Sequence, residues 1–394
     1  MSPKEKNFLP AATTKNTARI LRRWRRWLPV GLASGLPQLM RGENQVDYRY
    51  EQYIEDGDRM TINTHSAYFE QQLVDAIIAK GELTYDSVSG ATPTGTLLPS
   101  GKIALTHMSD IRRAISLELD TKLGNNTITP GFAYSKESDY ESYGLSLNDA
   151  IEFNEKNTTL QFGASHNFDS VRLSNETTWE DKQSTEAFIG VSQLLSPKTI
   201  FNTAFTFGND SGYLNDPYRQ AYYTPIIGNI TLPGYGIEER RPSHRNKEIV
   251  YTSLTQYFES INASIEGSYR FYHDTYGISA HTAQVMWHQW LGKHFILEPM
   301  FRYYKQSAAN FYATSFSGPF ILPPDQPPGM HSSDYRLSEL YTLDYGAQLT
   351  IVLNDHLRAV AGYHRYDMEG TDGITNPGMY PKANIYTIGF SILW

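Results

Sequence analysis

Cysteine is absent from all 394 residues, which removes disulfide staples, thiolate metal ligands and a cysteine nucleophile from consideration. Charge is scarce: Asp, Glu, Lys and Arg together make 19% of the chain, below the roughly one quarter usual in soluble domains. Long apolar runs are missing as well. No stretch of about 18 uninterrupted apolar residues occurs, so the sequence offers no transmembrane helix, and mean hydropathy is −0.47. What abounds is aromatic and flexible, with 28 Tyr, 18 Phe, 6 Trp and 29 Gly. One way of crossing a bilayer survives these absences: a closed barrel, whose strands alternate apolar and polar residues and therefore average to a polar hydropathy.

Charge is also unevenly placed. Residues 1–42 hold nine Lys or Arg and one acidic residue, which leaves 25 basic and 41 acidic groups, a formal −16, to the remainder. The basic run RILRRWRRW (19–27), followed by the weakly apolar WLPVGLASGLPQLM, reads as an export leader over 1–42. Pro29, Gly31, Gly35 and Pro37 interrupt its apolar part, and no small-x-small cleavage site marks its end. A basic arm for nucleic acid is the alternative, and the acidic remainder argues against that partner. Residues 43–394 are then expected to form a single domain.

The chain ends on YTIGFSILW, in which Tyr386, Ile388, Phe390, Ile392 and Trp394 share one face of a strand. A soluble edge strand with such a face would be guarded by charge or proline; a barrel has no free edge to guard. Working back from this strand, tight turns fall at 354–356, 291–293, 259–262, 196–198, 154–157, 124–126 and 71–75. Between them lie longer connections: from Glu369, 308–334, 273–277, 209–243, 169–184, 135–139, a loop of about 20 residues around SVSGATPTG, and 55–59. This parse yields about 16 strands, an even number, with short turns at one end and long loops at the other. The predicted fold is all-β: a closed antiparallel up-and-down transmembrane β-barrel with short periplasmic turns and long extracellular loops.

Face assignment separates what meets lipid from what lines the interior. In RRAISLELDTKLG, Ile115, Leu117, Leu119 and Leu123 oppose Glu118, Asp120 and Lys122. Two later strands set Tyr269 and Phe271 against Glu266 and Arg270, and Phe301 and Tyr303 against Glu298 and Arg302. With Asp344 these charges predict a wet, mixed-sign lumen. Tyr251, Tyr257, Trp290, Phe295, Tyr363, Tyr386 and Trp394, with Tyr269, Phe271 and Tyr303, are expected in interfacial girdles against outer-membrane lipid. Such a lumen suits porin-like diffusion of small polar solutes, with loops near 89–108, 209–243 and 308–334 setting the mouth. Equally, the charges pair across the lumen and close it, leaving a non-conducting scaffold. In SGYLNDPYR, residues Tyr213, Asn215, Asp216, Tyr218 and Arg219 are expected either to constrict the lumen or to pack on the barrel top. Thr387, Gly389, Ile392 and Trp394 resemble the C-terminal signal read by the barrel assembly machinery.

Catalytic chemistry finds little support. His65 beside Ser66 and Ser165 beside His166 are strand neighbours that point to opposite faces, so a surface hydrolase is the least favoured reading and no enzyme is expected. His281 and His288, seven apart, also fall on opposite faces, and no metal or cofactor is expected. No glycine-rich phosphate loop opens a helix. The acidic stretches EDGDR (55–59) and KESDYES (136–142) are suited either to a divalent cation or to a solvated rim bridged to lipid phosphates.

VDYRYEQYIEDGDR, DSVSGATPTG, TITPGFAYSKESDYESYGLSLN, FNEKNTTLQFGASHNFD, SPKT, SGYLNDPYR and SSDYRLSEL together resemble a bacterial family catalogued as domain of unknown function number 3570. The resemblance runs from about Val46 to Trp394. It implies an outer-membrane barrel without an established activity or catalytic residue. It also implies partners: relatives tend to be encoded beside periplasmic redox proteins of the thioredoxin-like and flavin-transfer kinds.

Overall fold

In the computed structural model residues 44–98, 100–172, 177–321 and 329–394 are described; the expected leader lies outside them. The first nine strands are β1 (Gln45–Glu55), β2 (Met60–Val74), β3 (Ile77–Leu97), β4 (Ile103–Leu123), β5 (Asn126–Lys136), β6 (Tyr140–Phe153), β7 (Thr158–Arg172), β8 (Trp179–Ser196) and β9 (Thr199–Gly212). Three short strands follow: β10 (Gln220–Ile227), β11 (Ile230–Thr231) and β12 (Tyr235–Glu238). Then come β13 (His244–Phe258), β14 (Ala263–Asp274), β15 (Ser279–Leu291), β16 (Phe295–Gln306), the short β17 (Phe316–Pro319), β18 (Leu340–Val352), β19 (Leu357–Gly370) and β20 (Lys382–Leu393). All but β10, β11, β12 and β17 join one closed antiparallel barrel of sixteen strands.

Closure answers the unguarded final strand. β20 pairs with β19 on one side and with β1 on the other, in register from Gln45↔Leu393 to Glu55↔Ala383. Alternation then turns the molecule inside out relative to a soluble protein. Leu117, Leu119, Leu145, Leu147, Ile189, Val285 and Ile388 are exposed, while Glu70, Lys80, Asp120, Asn202 and Glu298 are buried on the inward face. No helix among the described residues is long and apolar enough to cross a membrane.

Connections at one end are all short, as the sequence predicts, while the other end holds every long connection beside short ones at 56–59, 137–139 and 275–278. Those following β2, β4, β6, β8, β13, β15 and β18 span two to four residues. Local chemistry makes them tight: Asn154, Glu155 and Asn262 adopt positive φ, and Gly124 and Gly292 take it without steric cost. The long connections, 213–243, 307–339 and 371–381, gather at the opposite end.

Three expectations are corrected. The loop of about 20 residues around SVSGATPTG is instead a continuation of β3 and β4, which pair one-to-one up to Pro93↔Leu105 and, after a shift, at Leu97↔Ile103. β-Branched Val88, Thr92, Thr94 and Thr96 carry the ladder through Gly and Pro. The 169–184 loop is likewise shortened, since β7 runs to Arg172 and β8 begins at Trp179. Tyr251, Tyr257 and Trp290 do not join a lipid-facing girdle, Tyr257 having the inward parity of buried Ser253 and Thr255. Val250, Leu254 and Phe258 occupy the outer face of β13, so Tyr251 shares the inner face with Ile249 and Ser253; Trp290 shares that of Met286 and His288. Phe295, Tyr303, Tyr363, Tyr386 and Trp394 are exposed.

Inside the wall, Lys80 on β3 pairs with Asp120 on β4, both buried, and Asp120 also accepts from Thr129 Oγ1 at 2.8 Å. Removing one member of a buried pair strands the other. Lys80→Met is therefore expected to destabilise the detergent-folded barrel by about 3–5 kcal/mol, with the double variant Lys80→Met/Asp120→Leu recovering most of the loss. Urea-unfolding midpoints of the three proteins measure this.

Candidate functional site

Among the described residues the most elaborate polar structure spans the long-loop end. Loop 213–243 folds back on itself through β10, paired with β11 and β12, and β10 also pairs in parallel with β17 of loop 307–339. The extended end of β3 reaches the same place. Gly95 passes so close that a Cβ there would meet the carbonyl oxygens of Gln220 and Ser333 at 2.7 Å each.

Ion pairs then fasten the two loops. Asp334, only 1% exposed, accepts from Arg336 Nε at 3.0 and 2.9 Å and from Arg241 Nη2 at 2.8 Å. Arg219 Nε lies 3.7 Å from its carboxylate. Arg336 also donates to Asp216, across the two loops. Glu239 meets Arg241 at 2.7 Å and accepts from the Asp216 backbone N–H at 2.5 Å and Ser332 Oγ at 2.6 Å. Main-chain bonds between Arg240 and His331 in both directions, at 2.8 and 2.9 Å, close the seam. Three arginines and three carboxylates thus form a balanced lattice with the planar, forked geometry that guanidinium groups favour.

Each predicted loop residue has a place here. The Asn215 side-chain oxygen accepts from the Arg241 N–H at 2.8 Å, and Tyr218 donates its hydroxyl to Asp139 of the β5–β6 loop. Arg219 reaches Thr92 Oγ1 on β3 at 3.0 Å and lies over the Tyr335 ring, 5.5 Å from its centroid. The Tyr213 N–H donates to the Asp181 carbonyl at 2.9 Å, and burial pushes its phenol up to about 12. Sequence reasoning missed Glu239, Arg241, Asp334 and Arg336. For Asp334 and Arg336 a signal was present, since SSDYRLSEL is one of the irregular segments that carry the family resemblance; Glu239 and Arg241 had none.

Protonation within the lattice follows from burial opposed by charge. Burial disfavours the ionised form of Asp216 and Asp334, but Arg336 beside both, with Arg219, outweighs it and holds each below the ordinary aspartate value. For Glu239 burial wins over Arg241 and the carboxyl is raised. The lowered aspartates stabilise the joined loops fully above 3.8 and lose that contribution as pH falls through their depressed values. The raised glutamate contributes fully below 4.5 and loses it as pH rises through its elevated value. The joint is therefore firmest in mildly acidic medium, between these limits. Spin labels on introduced cysteines, Ile230→Cys and Met330→Cys, are expected to show their narrowest distance distribution there, to broaden as pH falls below 3.8 and to broaden as pH rises through the elevated Glu239 value. The cysteine-free background leaves those labels unambiguous.

Several inward charges have close polar neighbours. Lys122 lies 3.6 Å from Glu152, Glu298 accepts from Gln348 at 2.8 Å and meets His288 at 3.0 Å, and Asp344 meets His364 at 3.2 Å. Glu118 is half-buried on the face of Asp120, and buried Glu266 accepts from Thr255 Oγ1 at 3.3 Å. Arg270 and Arg302 lie on the inward faces of β14 and β16. At the closing strand Thr387 is buried, Ile392 and Trp394 are exposed, and Gly389 lies against the β1 backbone.

Other sequence candidates are dispersed. Asp56 of EDGDR is held by both arms of Arg365, at 2.7 and 2.6 Å. Glu137 and Asp139 of KESDYES lie near Asp110, with a ligand atom of each within 4.8 Å of the others. Two of these already accept protein hydrogen bonds, Asp110 from Ser138 and Asp139 from Tyr218. His281 bonds Tyr269 at 2.6 Å on the outer face, away from inward His288. His65 bonds Tyr48 and His166 bonds Thr185, each at 2.8 Å.

A family model described as "Protein of unknown function (DUF3570)" matches residues 33–392. No curated protein matches the chain. Among solved structures, CdiB from Acinetobacter baumannii is 8% identical with a TM-score of 0.50, covering 89% of this chain and 60% of its own. The siderophore receptor PirA from Pseudomonas aeruginosa is 8% identical with a TM-score of 0.43, covering 90% of this chain and 62% of its own. A loop L8 deletion mutant of OmpT, an outer membrane protein of Vibrio cholerae, is 11% identical with a TM-score of 0.41, covering 89% and 98%. This chain thus spans under two thirds of the length of CdiB and PirA, and nearly all of OmpT. At these identities the likeness is one of fold, that of outer-membrane β-barrels.

Proposed function

The chain belongs to the DUF3570 family, and from that premise we propose that it is an integral outer-membrane barrel passing small polar solutes through its lumen, under the control of two interlocked loops. The tight turns face the periplasm and the joined loops face outward, as the length asymmetry of such barrels requires. The observation that carries this reading is the six-residue lattice of Asp216, Arg219, Glu239, Arg241, Asp334 and Arg336. A merely structural tie has little need of two buried carboxylates, a half-buried third and three guanidinium groups, whereas a movable joint gains a discrete joined state from them. Conductance of the purified protein in planar bilayers tests the proposal: low current is expected from the native chain, and a large increase when the lattice is broken. A folded barrel that stays silent with the lattice broken overturns it.

The same interlock favours a second reading, a non-conducting scaffold that seats periplasmic redox or surface partners. Recovery of a stoichiometric periplasmic partner with a silent barrel would support that alternative. Neither reading assigns catalytic work to the barrel.

A further inference from the structure

We propose that the lumen holds a binding site for a small oxyanion, a carboxylate or phosphate, built by Arg270 and Arg302. The inference rests on the passage reading only in that solutes must reach the lumen.

Both arginines belong to one stretch of wall. Arg270 on β14 is in register with Thr282 on β15, and Thr282 with Tyr304 on β16; Arg302 is two residues along the same inward face as Tyr304. Arg270 lies within electrostatic reach of Arg302, Tyr304, Tyr272 and the more distant Glu186, which is paired with Lys247 at 3.0 Å; its guanidinium is 5.7 Å from the Tyr272 ring centroid.

Both lack a carboxylate partner, whereas several other arginines have one. Arg112, Arg241, Arg245, Arg336 and Arg365 each have a carboxylate at hydrogen-bonding distance. Among the described residues no carboxylate lies within 4.0 Å of Arg270 or Arg302, and the buried Nε of Arg270 has no acceptor. Asp344 stands opposite Arg302 in register, yet its carboxylate is turned to His364 at 3.2 Å. Two neighbouring guanidinium groups that repel each other and leave a buried donor unused are a cost that an oxyanion removes, by accepting from both forks at once. Tyrosine rings around them lower the local polarity and strengthen that attraction.

Calorimetric titration of the detergent-folded barrel with inorganic phosphate reads binding whether or not the barrel conducts. Saturable binding is expected for the native chain, at least tenfold weaker in Arg270→Gln/Arg302→Gln, and intermediate in Arg270→Lys/Arg302→Lys, which keeps charge but loses the fork. Absence of binding in the native protein, or equal binding in the glutamine variant, overturns the site. In bilayers, phosphate is expected to reduce chloride current in the native lumen and not in the glutamine variant. A silent barrel that still binds phosphate would count against passage and not against the site.

Discussion

Replacing Asp334 by Asn is expected to convert a low-conductance barrel into an open one. Asp334 is 1% exposed and faces Arg219, Arg241 and Arg336. The amide keeps its shape but not its charge, so three guanidinium groups are left around a neutral centre with only Asp216 and Glu239 to balance them. Breaking a buried ion pair by removing one partner costs about 3–5 kcal/mol. Spent on the joint between loops 213–243 and 307–339, that shifts the ratio of joined to parted loops by a factor of about 10² to about 4 × 10³, since about 1.4 kcal/mol is tenfold. The barrel wall makes no use of the pair, so heat-modifiable migration in gels should be unchanged. Single-channel recording measures the effect. An intact Asp334→Asn barrel with native current would show that the lattice does not govern passage.

How much of this was readable beforehand depended on whether a feature is periodic or meets only in space. Strand number, order and turn positions were legible, because Leu117, Leu119 and Leu123 against Glu118, Asp120 and Lys122 is a period-two signal that needs no tertiary information. Closure was legible from Tyr386 to Trp394 by the absence of any edge guard. Tyr251 misled because a tyrosine is as much at home in a wet interior as at a membrane boundary, and only the parity of Val250 and Leu254 fixes its side. The lattice was half legible. SGYLNDPYR stood out as a fixed turn ringed by large groups, but Asp216 meets Arg336 across 120 residues of chain, and no local pattern announces such a meeting. The extension of β3 and β4 was hidden for the opposite reason: Gly90, Pro93 and Gly95 advertise a loop, and pairing with β4 together with packing against the other loops overrides them.

Gly389→Ala and Trp394→Ala are expected to fail in different places, which separates the steric from the signalling content of the last strand. Gly389 sits opposite Arg49 in the β1–β20 seam, and a Cβ there would meet the Tyr48 carbonyl oxygen at 2.6 Å. That atom is backbone, so the strands themselves must part. The seam is the one junction the chain must close between its two ends, and a wedge there exposes unpaired edges of β1 and β20 together. Gly389→Ala should therefore lose most of its folded yield both in cells and when urea-unfolded protein is diluted into detergent micelles. Trp394 is 56% exposed, and its backbone N–H, which Ala retains, donates to the Asn44 carbonyl at 3.1 Å. Truncating the ring removes surface contacts worth about 0.5 kcal/mol or less, so micelle refolding should be near native while the amount of folded barrel in cells falls sharply, through loss of recognition by the assembly machinery. Equal refolding of Gly389→Ala and native protein in micelles would remove the steric argument; a native level of Trp394→Ala in cells would remove the signal.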